Sequence, residues 1–258
     1  MSKGSRNKQA ARDKIERMRA DEARKRRRRV LIGSVAGAAV VIGAGVGIAL
    51  SVNGGAKNSN SATAAHSLAP LSTLGALRPA PAVGAQGPEG VPVPSGAPLS
   101  SVSGSATGQP VDGISCQTNE QTLFHIHAHL AIFVNGTQRQ IPAAVGIPGA
   151  QAQNTSTGPF ISSGTCFYWL HTHAADGIIH IESPVTRTYT LGNFFDEWGQ
   201  PLGPDQVGPA RGHVTAIYNG KAFVGNPRDI PLTAHAQIQL EVGTPLIAPQ
   251  QITFPSGL

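Results

Sequence analysis

Every Phe, Tyr and Trp of this 258-residue chain lies at or beyond Phe124. Large aromatic side chains dominate core burial, so a self-sufficient core is confined to a C-terminal portion of roughly 140 residues, enough for one domain. There, short alternating segments recur between Gly, Asn, Asp and Pro breakers. That pattern predicts a mainly β domain over residues 112–245, built of hairpins with one short helix.

Charge is as unevenly spread as the aromatic rings. Residues 1–29 hold 13 Lys/Arg against 4 Asp/Glu, leaving 7 against 10 in the remainder. The formal net charge of +6 therefore resides in a basic tail. The mildly acidic remainder is poorly suited to phosphate backbones, which argues against a nucleic-acid partner.

Residues 30–52, VLIGSVAGAAVVIGAGVGIALSV, are uncharged and, at about 1.5 Å per residue, long enough to cross ~30 Å of hydrocarbon. They read as a transmembrane helix. The cluster Arg24 to Arg29 abuts it and assigns residues 1–29 to the cytoplasm and the C-terminal domain to the outer side of a cell membrane crossed once. Cleavage as a signal peptide, after Ala62-Thr63-Ala64, is the competing reading, but the apolar stretch exceeds the usual ~7 to 15 residues. Asp13 with Arg17 and Asp21 with Lys25 give the tail helical charge spacing. Residues 53–111, dominated by Gly, Pro, Ser and Ala, read as a disordered linker of about 40–45 Å, and residues 246–258 as a C-terminal tail.

Cys116 and Cys166 are the only cysteines. In an oxidising extracytoplasmic setting they are expected to form a disulfide, contributing roughly 4 kcal/mol on chain-entropy grounds. A redox pair or metal thiolates would be the rival reading, without a CxxC spacing to support it.

Asn135-Gly136 and Asn219-Gly220 each separate two strand-like runs, as type I′ hairpins require. In HAQIQLEV, Ala236, Ile238, Leu240 and Val242 alternate with His235, Gln237, Gln239 and Glu241, predicting a strand with one buried and one wet face. Thr190 can cap a short helix whose apolar side is Leu191, Phe194, Phe195 and Trp198, and Gly199 can end it. Asp196 and Glu197 then fall on its exposed side.

Six of the nine histidines lie between His125 and His180. His125, His127 and His129, spaced by two, project from one face of a strand. Asp176-Gly177 can close a second hairpin. With Ala175 opposite Ile178, His173 faces His180 and His171 faces Glu182, placing four further groups on one face; a four-residue turn, Ala174 to Gly177, would change the partners but keep that face. Phe167 and Trp169 share that side, while Tyr168, Leu170, Ile179 and Ile181 face the core.

Imidazoles from paired strands with a carboxylate make a site for a divalent metal ion, zinc or copper(II). The ligand pool is His125, His127, His129, His171, His173, His180 and Glu182. Seven groups exceed one tetrahedral ion, so either two sites exist or several groups act from a second layer. Copper(I) is disfavoured because both methionines, Met1 and Met18, lie in the tail. Two other functions compete with metal binding: a metalloenzyme in which Glu182 is the general base, and a metal-free interaction module of the cell envelope. Asp176 is explained by its turn, His213 and His235 by strand surfaces, and His66 by the linker. GxSxG, HExxH and Gly-rich phosphate loops are absent from the sequence.

The blocks HIHAHLAIFVNG, CFYWLHTHAADGIIHIESP and TLGNFFDEWGQPL resemble those of a group of bacterial membrane-anchored proteins with histidine-rich extracytoplasmic domains, over about Gly113 to Val242. The group brings no established activity, so no residue role is carried over from it. The tail and span are similar to those of membrane-tethered thioredoxin-fold proteins, from which this domain departs in having no CxxC.

Overall fold

A computed structural model describes residues 66–258. The expected cytoplasmic tail, the membrane span and the first part of the linker lie outside them. Among the described residues no helix is long and apolar enough to cross a membrane.

The described chain is mainly β and centres on an eight-stranded mixed sheet. In chain order its strands are β1 (Ser67–Ala69), β2 (Phe124–Val134), β3 (Thr137–Arg139), β4 (Leu170–His171), β5 (Ile178–Ser183), β6 (Val214–Tyr218), β7 (Lys221–Val224) and β8 (Ala236–Val242). Across the sheet they run β1-β7-β6-β8-β2-β5-β4, with β3 paired to the end of β2. Neighbours are antiparallel except β8 and β2, which run parallel. The Asn-Gly turns close two hairpins as expected. Val134 pairs with Thr137 and Tyr218 with Lys221, and both residues of each turn have positive φ, the type I′ requirement.

Alternation along β2 divides the molecule into two faces. Ala128, Leu130 and Ile132 point into the main core with Ile179 and Ile181 of β5 and Ala236, Ile238, Leu240 and Val242 of β8. Helix α1 (Leu191–Trp198) covers this core. Thr190 Oγ1 accepts from the Asn193 amide while the Asn193 side chain accepts from the Thr190 amide, and Gly199 ends the helix in the left-handed conformation. Leu191, Phe194, Phe195 and Trp198 are all fully buried, each contributing about 1.5–3 kcal/mol of transfer free energy. Glu197 departs from expectation. It is buried rather than on the exposed side, and only Asp196 reaches partly solvated surface, where it pairs with Arg228.

Two further readings are corrected. From His66 onward the segment read as a linker packs on the domain. β1 adds to the sheet edge, Val91 and Leu99 are buried, and His66 stacks on Phe223. Lack of aromatics denies this segment a core of its own, but it does not prevent small apolar and proline residues from covering another core. The polar face of β8 is likewise dry over its second half. Gln239 and Glu241 are buried because the C-terminal segment lies over them: the Ile247 amide donates to Glu241 (2.7 Å), the Gln250 amide to Gln239 (2.9 Å) and the Ile252 amide to Gln237 (2.8 Å).

Candidate metal centre

The second face of β2 carries His125, His127 and His129. Its register against β5 sets His125 beside Glu182, His127 beside His180 and His129 beside Ile178. On the far side of β5, His171 pairs with His180, the register of the four-residue turn Ala174 to Gly177 rather than of the two-residue turn. Strand β4 ends at His171 because Thr172 is claimed by a neighbouring loop. Its amide donates to Val145 O (3.1 Å), and its hydroxyl donates to Pro142 O (2.9 Å) while accepting from the Val145 amide (3.1 Å). The connection is therefore longer than expected, and Asp176 Oδ1 accepts from the Ile178 amide near its end. The slip is by an even number of residues, so the side chains keep their face.

The loop that claims Thr172 also backs His171. A Cβ at Gly146, where φ is +70°, would lie 2.2 Å from Leu170 O and 3.0 Å from His171 Cβ. Only glycine permits that approach. Cys116–Cys166 forms the expected disulfide. It lies one residue before the Phe167–Tyr168 strand, which pairs with Cys116–Gln117 and leads into β4.

Among the described residues, three overlapping groups of side chains bring ligand atoms within 4.8 Å of one another: His125, His127, His180 and Glu182; His171, His173 and His180; and Glu120, His171 and Glu182. In the first, His127 Nε2 lies 3.1 Å from both His125 Nε2 and His180 Nδ1. Glu182 Oε1 lies 3.1 Å from His125 Nε2 and 3.5 Å from His180 Nδ1. Ligand atoms around a tetrahedral ion with bonds of about 2.0–2.1 Å stand about 3.3 Å apart. Three imidazole nitrogens and a carboxylate oxygen, each at about that spacing from two of the others, form a set that can hold a metal ion.

Hydrogen bonds on the outer nitrogens orient the rings. His171 Nδ1 donates to Tyr168 O (2.8 Å) and His173 Nδ1 to Ile161 O (2.6 Å). Carbonyls only accept, so the Nε2 atoms carry the lone pairs. His180 Nε2 donates to Glu89 Oε1 at 2.7 Å. Such outer partners fix the tautomer and aim of a ligating ring.

Burial, reinforced by His180 and His125, pushes the His127 imidazole down to about 3. Burial and its histidine neighbours push His171 well below the usual range, and burial with His180 lowers His173. Burial pushes His180 the same way, but hydrogen bonds with Glu182 and Glu89 outweigh it and hold this ring at about 9. Burial would raise Glu182, yet its bonds to His125 and His180 draw it well below the usual carboxylate range. Neutral His127, His171 and His173 and an ionised Glu182 are in the protonation states that coordination needs, whereas His180 must give up a proton to bind an ion.

His129 belongs to none of the three groups. It is buried, and its Nε2 donates to Asp176 O at 3.1 Å. Trp169 is not on the histidine side either. The chain is irregular between Tyr168 and Leu170, and the indole joins the main core and donates to Gln117 Oε1. The aromatic wall comes instead from Phe167, edge-on to His171, and from Phe160, stacked on His173 with centroids 4.8 Å apart.

Glu89, Glu120 and Phe160 were missed by sequence reasoning. Glu89 sits in QGPEG, inside the presumed linker, and Glu120 lies 3.4 Å from His173 Nε2 in the polar run TNEQT. Nothing local marks either one. Phe160 had a weak signal, being the only aromatic ring in a polar stretch, on the hairpin formed by Gln151–Thr155 and Gly158–Ser163. Comparison with known proteins finds no family model, no curated protein and no solved structure that matches the chain.

Proposed function

We propose that this chain is a membrane-anchored protein whose extracytoplasmic domain binds a divalent metal ion, zinc or copper(II), through His125, His127, His180 and Glu182. The observation that carries the reading is the convergence of three imidazole nitrogens and a carboxylate oxygen at 3.1–3.5 Å from their neighbours. Nitrogen and oxygen donors suit zinc or copper(II), and with both cysteines in a disulfide no thiolate remains for a softer ion. The disulfide also supports an oxidising, extracytoplasmic setting, and the apolar run 30–52 supports the anchor.

Capture or delivery of the ion is favoured over catalysis by the position of Glu182. Its Oε1 stands among the imidazole nitrogens, where it serves as a ligand. A general base would stand off from the metal by the width of a bound water. A cleft of about 340 Å³, lined in part by Glu120, His125, Phe160 and Ser162, opens over the cluster. The His125 side chain is 38% exposed, which gives an ion a route in and out.

Elemental analysis of the full chain, purified in detergent and loaded with zinc or copper(II), tests this reading. Stoichiometric metal that falls by at least one equivalent in His127→Ala/His180→Ala supports it. A wild-type chain that retains no metal after loading and desalting refutes it and leaves the metal-free envelope module.

A further inference from the structure

Two features of the cluster are left over once the first ion is assigned. His171 Nε2 and His173 Nε2 lie 3.1 Å apart, and both carry lone pairs because their Nδ1 atoms donate to Tyr168 O and Ile161 O. Two lone pairs aimed at each other repel unless a cation lies between them, and the spacing is close to the ~3.3 Å of two ligands on one metal. Glu120 Oε1, 3.4 Å from His173 Nε2, adds a carboxylate.

The other leftover is Glu182 Oε2. Oε1 is taken up with His125 and His180, whereas Oε2 is buried with no hydrogen-bond partner among the described residues. The same carboxylate falls into a second group of ligand atoms with His171 and Glu120. A buried carboxylate oxygen without a partner is costly, and a cation on its far side removes that cost.

We infer that the cluster is a two-metal centre, with one ion at His125, His127 and His180, a second at His171, His173 and Glu120, and Glu182 bridging them through its two oxygens. The inference rests on the metal-binding reading above and extends it with a second site. His180 stands between the two sites, stacked on His171 with centroids 5.3 Å apart and edge-on to His127. Ions in two-metal sites sit about 3.5–4 Å apart, which suits donor sets that flank β5, the strand that carries Glu182.

The test is metal stoichiometry on the full chain, loaded with zinc chloride or copper(II) chloride and desalted, joined to the electron paramagnetic resonance of the copper form. Two equivalents are expected in the wild type and one in His171→Asn/His173→Asn. The copper signal should integrate to well below two spins, because bridged ions couple. Glu182→Gln should weaken retention of the second equivalent at least tenfold. One equivalent in the wild type, unchanged in His171→Asn/His173→Asn, overturns the two-metal centre while leaving the first site standing. Two full, uncoupled spins overturn the bridge. No metal at all overturns the earlier reading as well. The wild-type stoichiometry and spin count decide the matter even where a variant fails to fold.

Discussion

His127 and His180 face each other across neighbouring antiparallel strands, with Nε2 of the first 3.1 Å from Nδ1 of the second and their rings at right angles. Similar residues in one register pair are held in opposite electrostatic conditions: for His127 burial and repulsion from His180 and His125 outweigh the Glu182 charge, while His180 is in direct contact with Glu182 and Glu89. Metal binding should act on that difference.

Calorimetric titration with zinc at pH 7.5, repeated in buffers of different ionisation enthalpy, should detect about one proton released per ion at the first site. In the metal-free protein His180 titrates near 9 and is charged at that pH, whereas His127, near 3, is already neutral. The sign for stability follows. His180 is raised above the ordinary imidazole value of about 6.5, so in the metal-free protein its contribution is complete below about 6.5 and is lost as pH climbs through about 9. No proton release at pH 7.5 would contradict the assignment of His180 as a ligand.

Zinc at a hundred times its dissociation constant should stabilise the protein by about 2.7 kcal/mol through mass action alone. Thermal melts with zinc and with chelator measure this directly. His127→Ala should reduce the zinc-dependent shift by the share of the first site while leaving most of the chelator-treated stability, because Ala removes a ligand from the second face and nothing from the main core.

Glu197 supplies a second pH signature, remote from the ligands. Burial, with repulsion from Asp112 added, pushes its carboxyl well above the usual range, and neither oxygen has a hydrogen-bond partner among the described residues. A carboxyl raised on folding contributes stability that is complete below about 4.5 and is lost as pH rises toward its folded value, at no more than ~1.4 kcal/mol per unit. Glu197→Gln should therefore be close to neutral at pH 4.5 and stabilising at pH 8. Urea unfolding at the two pH values is the measurement.

Removing the disulfide should cost about 2–5 kcal/mol. Cys116 and Cys166 are separated by 50 residues, and the bridge stands just ahead of the strand that carries His171. Cys116→Ser/Cys166→Ser should accordingly lose metal retention as well as denaturant resistance, with the two followed in parallel.

Local chemistry was readable in the sequence wherever it was strong. Asn135-Gly136 and Asn219-Gly220 demanded type I′ hairpins, and Thr190 with Gly199 bounded the helix. The alternation of His125, His127 and His129 fixed their common face. Contacts between distant segments were not readable. Asp176-Gly177 looked like a tight hairpin because nothing near it in sequence announces that Val145 and Pro142 will capture Thr172. Glu89 was hidden for a related reason. Composition reports whether a segment can build a core, and residues 66–111 cannot, but it does not report whether the segment will lie on a core built elsewhere. Glu197 looked exposed because a carboxylate on a short helix ordinarily is, and only the packed arrangement buries it.

The C-terminal segment over β8 is held by side chains acting in place of a neighbouring strand. Gln237, Gln239 and Glu241 contact main-chain amides or carbonyls at Ile247, Gln250 and Ile252. Recognition of that kind reads the path of the covering chain and little of its composition. Substitutions within 247–252 should therefore be tolerated as long as the segment keeps its course and the Ile247 side chain stays apolar, while a change at Gln239 or Glu241 would unseat the whole cover.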